Sequence, residues 1–419
     1  MNRLFIVPSF YIWTTWLIVL LALQFSSIDF PPLSPEVYSV FALVVLAAIL
    51  SNLYFASKFD RVAPHINVNG GKTLMLAVFL TTTVIGSVGL ASYIGWATNL
   101  VGGFDQYLFS LLNNPLAIRA LSIDDLGGAI QLIYFSWISF AMAILIARRR
   151  VYSKFSRSII VAIGAIEFIA NLTFVDRTRP IWLIVISSLM IASTSKKPAL
   201  AIGRLVVIFP FLIVGIFLGF VTFTNKITGA SVFGELEGYL LGGVLYFNQL
   251  YQKVGQFDYQ PIRTMYPISK LLNNVGLAGE VPSQVLNFYF VPFPTNVGTF
   301  MEPLYSDGGL GFVFLGMPLV IWLIDRVALW ALKAQSFWGV FLYANLIFCD
   351  LMSTFVPKFT STPLYVFFFL FVVSRAAQPF TFIRRPPAPL QRNASQWSED
   401  WTQRGTPKRM TGNRVDGEK

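Results

Sequence analysis

The chain has 419 residues, 55% hydrophobic and only 12% charged, and its mean hydropathy is +0.64. A soluble domain carries about 25% charged residues, so a soluble globular fold is excluded, and repeated apolar runs of about 20 residues mark a polytopic membrane protein. Cys349 is the one cysteine and His65 the one histidine, which excludes an internal disulfide and a cysteine metal site. A Ser-His-Asp triad or a histidine metal site outside the membrane lacks its histidine. The net charge of +11 would raise the question of nucleic acid in a soluble protein. Here it is accounted for by the basic loops that orient membrane proteins, and no nucleic-acid partner is expected.

The apolar runs are continuous rather than alternating, so the expected fold is all-α, each span satisfying its own backbone in lipid. Ten spans are expected, at about 9–26, 37–56, 73–95, 127–147, 157–175, 180–194, 204–224, 309–325, 336–353 and 361–379. The first is not read as a cleaved signal peptide, since Trp13 and Trp16 interrupt its apolar run and no small-x-small site follows. With both termini inside, 23 of the 31 basic residues fall on inner segments. The outer segments then hold only Arg119, Arg177, Arg179, Lys226, Lys253, Arg263, Lys270 and Lys358. The opposite orientation would invert this, so N-in, C-in is expected. Residues 1–383 are thus a transmembrane domain with two long outer loops, 96–126 and 225–308, and 384–419 are a disordered cytoplasmic tail. The larger loop is rich in Gly, Pro and aromatics, which suits a folded cap and makes it a home for function.

The connection Val175-Asp176-Arg177-Thr178-Arg179-Pro180 runs against the local charge bias, with two arginines in a short outer loop. Arginine binds phosphate bidentately and stays charged when partly desolvated. Pro180 suits the first turn of the next helix, whose N-terminus also favours an anion. The plainer alternative is a loop arginine paired with Asp176 or reaching to lipid headgroups. Arg263, in the large loop, is a second candidate phosphate contact. Glu167 and Asp350 lie inside predicted spans, where carboxylates are costly and face a cavity or a partner. Glu167 is read as a substrate-side or structural partner of the arginines. The stretch from Asn296 through Thr299, Glu302 and Tyr305 to Asp307-Gly308-Gly309-x-Gly311 combines amide, hydroxyl, carboxylate and aromatic groups of the kind that bind sugars. A loop entering a helix, capped by Asp307, explains it equally well.

The outer arginine pair, the long outer loop and the Asn296-x-x-Thr299…Tyr305-x-Asp307-Gly308-Gly309-x-Gly311 stretch resemble the Wzy-type oligosaccharide repeat-unit polymerases, which build O-antigen and capsule. Gly308 departs from the family pattern, where an aromatic is common. The resemblance implies a membrane-embedded glycosyltransferase on the periplasmic face of a bacterial inner membrane. Its substrate would be an undecaprenyl-diphosphate-linked oligosaccharide, and the growing chain would be transferred to a new lipid-linked repeat unit with no cofactor, metal or nucleotide sugar. Partners in the bilayer would be a chain-length regulator and a flippase of the same pathway. On this reading Arg177 and Arg179, with Arg263 as third, stabilise charge on the leaving diphosphate. Glu302 or Asp307 acts as base, with Glu235 and Glu280 behind them. Asn296, Thr299 and Tyr305 orient the sugar. Two rivals remain. An O-antigen ligase shares the architecture but usually carries a histidine in the outer loop, and residues 225–308 have none. A transporter or flippase for the same lipid would be expected to show two similar halves.

Overall fold

The computed structural model describes residues 3–26, 29–62, 72–113, 128–148, 152–174, 178–223, 232–253, 262–277, 279, 281, 286, 289–291 and 294–377. The expected tail at 384–419 lies outside them, as do Asp176, Arg177, Glu280 and the side chain of Glu235. Met1–Val373 forms one compact unit; of the second, Ser374–Lys419, only the end of the last helix is described.

The described chain is all-helical apart from a pair of two-residue strands, β1 (Tyr289–Phe290) and β2 (Pro294–Thr295). In chain order the helices are α1 (Ser9–Phe25), α2 (Pro35–Val62), α3 (Lys72–Val101), α4 (Phe104–Asn113), α5 (Tyr134–Arg148, entered by a 3-10 stretch Gly128–Ile133) and α6 (Lys154–Leu172). They continue as α7 (Thr178–Ser193), α8 (Pro198–Phe223), α9 (Val232–Lys253), α10 (Tyr266–Asn274), α11 (Glu302–Lys333), α12 (Phe337–Leu351) and α13 (Thr362–Ala376). Six are long and apolar enough to cross a membrane: α2, α3, α5 with its 3-10 entry, α6, α8 and α11. The shorter apolar helices are α1, α7, α12 and α13.

Length and burial divide these helices. α12 is buried from Phe337 through Asp350 except at Trp338, the signature of a helix apolar on every side and enclosed by others. It packs against α1, α7 and α11, and Ser336 caps it by accepting a hydrogen bond from Gly339 N at 3.1 Å. The long helices instead present exposed apolar residues: Leu74 and Val84 on α3, Phe211 on α8 and Leu315 on α11. In a protein of this hydropathy such faces meet lipid rather than water. α3 lies against α5 because Gly86 and Gly89 remove the side chains between them; a Cβ at either would collide with the backbone nitrogen of Ser136 or Ile133.

Two features depart from the sequence expectation. The segment 225–308 holds α9, a 22-residue helix. Leu241, Val244, Leu245 and Phe247 of α9 join one core with residues of α1, α2 and α11. Its polar positions, Glu237, Asn248 and Gln249 among them, lower its mean hydropathy, although Asn248 spends its amide on the chain before α2, accepting from Ser34 N and donating to Pro32 O. The eighth expected span, 309–325, is part of a longer helix. α11 begins at Glu302 and is broken within by Gly308 and by Gly309 at φ 66°, a left-handed conformation that favours glycine. Asp307 therefore sits just before a kink rather than at a helix cap.

Candidate functional site

Arg179 stands in the first turn of α7 and lines a cavity of about 160 Å³. Trp137 of α5, Trp182 of α7, Asn345 of α12, Lys358, and Ser361 just before α13 share that lining. Among the described residues that line it, none is acidic. Two cations and the N-terminal end of α7 thus face one small space, where an anion would be favoured by full charges and helix dipole together. The Arg179 guanidinium lies 3.6 Å from the centre of the Phe174 ring, and Phe174 stacks on Tyr93. Guanidinium stacking on an aromatic face helps hold the group in place.

The aromatic wall is fixed by amides. Trp137 and Trp182 pack with ring centres 4.5 Å apart. Trp137 Nε1 donates to Asn171 Oδ1 and Trp182 Nε1 to Asn345 Oδ1, each at 2.9 Å. Asn171 in turn donates to Ser136 Oγ and to the carbonyl of Glu167. Glu167 is buried and accepts a hydrogen bond from Ser139. It does not line the cavity; it reaches the wall through Asn171 and Trp137. Among the described residues Glu167 thus belongs to an α5–α6 polar seam.

A second cluster gathers at the start of α11. Arg263 Nη1 and Glu302 Oε1 form an ion pair at 3.0 Å, with the side chains 20% and 4% exposed. Ser306 Oγ donates to the same Glu302 oxygen at 2.7 Å. Asp307 accepts from the backbone nitrogens of Arg263 at 2.9 Å and Thr264 at 2.7 Å, one on each carboxylate oxygen. Both oxygens thus fasten the 262–265 chain to the helix. Asp307, a candidate base from sequence, here positions this chain with both of its oxygens. Tyr305 is likewise corrected. It is buried, its hydroxyl donates to Tyr251 O, and its ring meets Phe247, so it packs α9 against α11 instead of facing a sugar. Thr299 is fully buried, while Asn296 stays partly accessible. Gly308, the departure from the family pattern, has a spatial cause: a side chain there would run into the ring of Phe312.

The two clusters are neighbours through the segment 357–365. Lys358, Ser361 and Thr362 line the cavity. On the same segment Phe359 meets Phe300 edge-on, two residues before Glu302, and Tyr365 OH donates to Met265 Sδ, two residues after Arg263. Lys358, Asn345, Trp137 and Trp182 were not singled out from sequence; an asparagine in an otherwise apolar run was the available sign. Asp350, which was, lies buried on α12 next to Cys349 of the cavity wall, with neither carboxylate oxygen hydrogen-bonded among the described residues. Comparison with protein-family models, with curated proteins and with solved structures found no match.

Proposed function

We propose that this protein is a membrane-embedded glycosyltransferase that polymerises lipid-diphosphate-linked oligosaccharide repeat units. The observation that carries the reading is the cavity at the N-terminus of α7, where Arg179 and Lys358 converge on one small space. On this reading the six long and four shorter apolar helices make ten crossings with both termini in the cytoplasm, and the cavity opens at the periplasmic face of a bacterial inner membrane.

The donor is the growing glycan on undecaprenyl diphosphate; the acceptor is a hydroxyl of a new lipid-linked repeat unit. The acceptor oxygen bonds to the anomeric carbon as the bond from that carbon to the phosphate oxygen breaks, and the electron pair leaves with the diphosphate. Arg179 and Lys358, with Arg177 beside them in sequence, hold the charge that develops there. Glu302 takes the acceptor proton, and Ser306 and Arg263 fix its orientation. Asn296 is the polar group left to meet the sugar. The resemblance in the Asn296–Gly311 stretch supplies the substrate class.

The test is the size distribution of surface glycan from a strain lacking the protein, beside wild type. A single repeat unit in place of a ladder supports polymerisation. An intact ladder retained on the lipid carrier would instead assign ligation, and carrier trapped on the inner side with no external glycan would assign transport.

A further inference from the structure

Amphipathic helix α10 carries a surface that the proposed reaction does not use. None of its residues is buried. At about 100° per residue, Pro267, Ile268, Leu271 and Leu272, with Val275 just beyond the helix, fall within an arc of about 140°. Leu271 is 63% exposed and Val275 61%. The opposite side carries Ser269, Lys270 and Asn273, and it is the side with partners. Asn273 Nδ2 donates to Gly279 O at 2.8 Å, and the Lys270 ammonium lies 6.0 Å from the centre of the Tyr266 ring. Ile268, Leu271, Leu272 and Val275 are exposed while Ser269, Lys270 and Asn273 are half-buried, the reverse of a helix docked on a protein core.

Its anchors set its height. At its start, Tyr365 OH donates to Met265 Sδ at 3.7 Å. Tyr365 lies in the first turn of the apolar helix α13, whose Phe368, Phe369 and Val373 are exposed along its length. One residue before Met265, the backbone is held by Asp307 at the kink of α11, within the first turns of that membrane-length helix. α10 thus begins within about one and a half helical turns of the ends of two apolar helices, about 8 Å along their axes. That is the depth of a bilayer boundary.

We propose that α10 lies in the plane of the bilayer surface with Ile268, Leu271, Leu272 and Val275 seated among lipid acyl chains. The occupant is lipid because the start of α10 is tied to the first turn of α13, a helix with exposed apolar residues, and because an exposed apolar patch in water is a liability that a boundary position removes. The inference does not depend on which reaction the protein performs. If the donor is lipid-linked, its carrier would meet the protein beside α10, three residues from Arg263.

The test is site-directed spin labelling of the full chain in lipid nanodiscs. Single cysteines are placed in turn at 268–275, none of them buried, in a Cys349→Ala background whose unfolding temperature is first matched to that of the unaltered chain. Accessibility to oxygen, which partitions into lipid, is compared with accessibility to a water-soluble nickel chelate. The ratio is expected to be severalfold higher at 268, 271, 272 and 275 than at 269, 270 and 273. Chelate access at every position would place the helix in water and overturn the proposal. Exclusion of both probes at 271 and 275 would show a protein cover and overturn it equally.

Discussion

The cavity at α7 and the cluster at the kink of α11 each hold an arginine near a helix start, yet they are built in opposite ways. Arg179 lies on aromatic rings and lines a cavity whose described lining has a second cation and no carboxylate. Arg263 is paired with Glu302, and its backbone is clamped by Asp307. The first arginine is arranged around a space, the second around a carboxylate on a neighbouring helix. Arginine count alone does not locate a ligand site. What distinguishes one is whether the group lines a cavity.

The largest expected effect tests the first half of that contrast. Arg179→Ala in the purified protein is expected to lower the rate of glycan transfer from a lipid-diphosphate donor by about 10²–10³-fold, the cost of losing one preorganised donor at a developing charge. Thermal unfolding, measured alongside, should change little if the arginine serves a ligand rather than the fold. Arg179→Lys keeps the charge but loses the bidentate fork and the stacking, so it should recover only part of the rate. An unchanged rate in Arg179→Ala would remove the phosphate role.

Next in size is Arg263→Ala, which should act chiefly on stability. It strands the 4%-exposed Glu302 carboxylate, and breaking a buried pair by removing one partner costs about 3–5 kcal/mol. The unfolding temperature in detergent should fall sharply. The double change Arg263→Met with Glu302→Leu should restore most of it while leaving transfer abolished, if Glu302 is the base. A stable Arg263→Ala protein would mean the two regions are less different than their geometry says.

How much of this the sequence carried depends on the kind of signal. The helices α1–α3, α5–α8 and α11–α13 were legible because lipid demands long apolar runs; α4, in the expected outer loop 96–126, was not. α9 was not legible: Asn248 and its neighbours satisfy their polar groups by packing and hydrogen bonding that only the folded chain provides. Neither was the pairing of Arg263 with Glu302, 39 positions apart, nor the recruitment of Lys358, which in sequence is one more basic loop residue. Asp307 and Tyr305 were legible as unusual residues but not in their roles. Which atoms a carboxylate or a phenol reaches is set by the kink at Gly308–Gly309, and two glycines in a row read equally well as a loop.

The smallest expected effect sharpens the reading of that kink. Gly308 has φ −161°, an extended backbone open to any residue, so conformation does not dictate glycine there. What does is space, since the Phe312 ring occupies the volume a side chain would need. Gly308→Phe should therefore destabilise the protein by about 1–3 kcal/mol through overpacking. In a Phe312→Ala background the same change should cost much less, because the ring it collides with is gone. A coupling of this sign would mean that an aromatic is wanted beside the kink and that this chain supplies it from position 312. Additive losses would mean instead that the glycine serves the Asp307 clamp directly, by keeping the 263–264 backbone close to the helix.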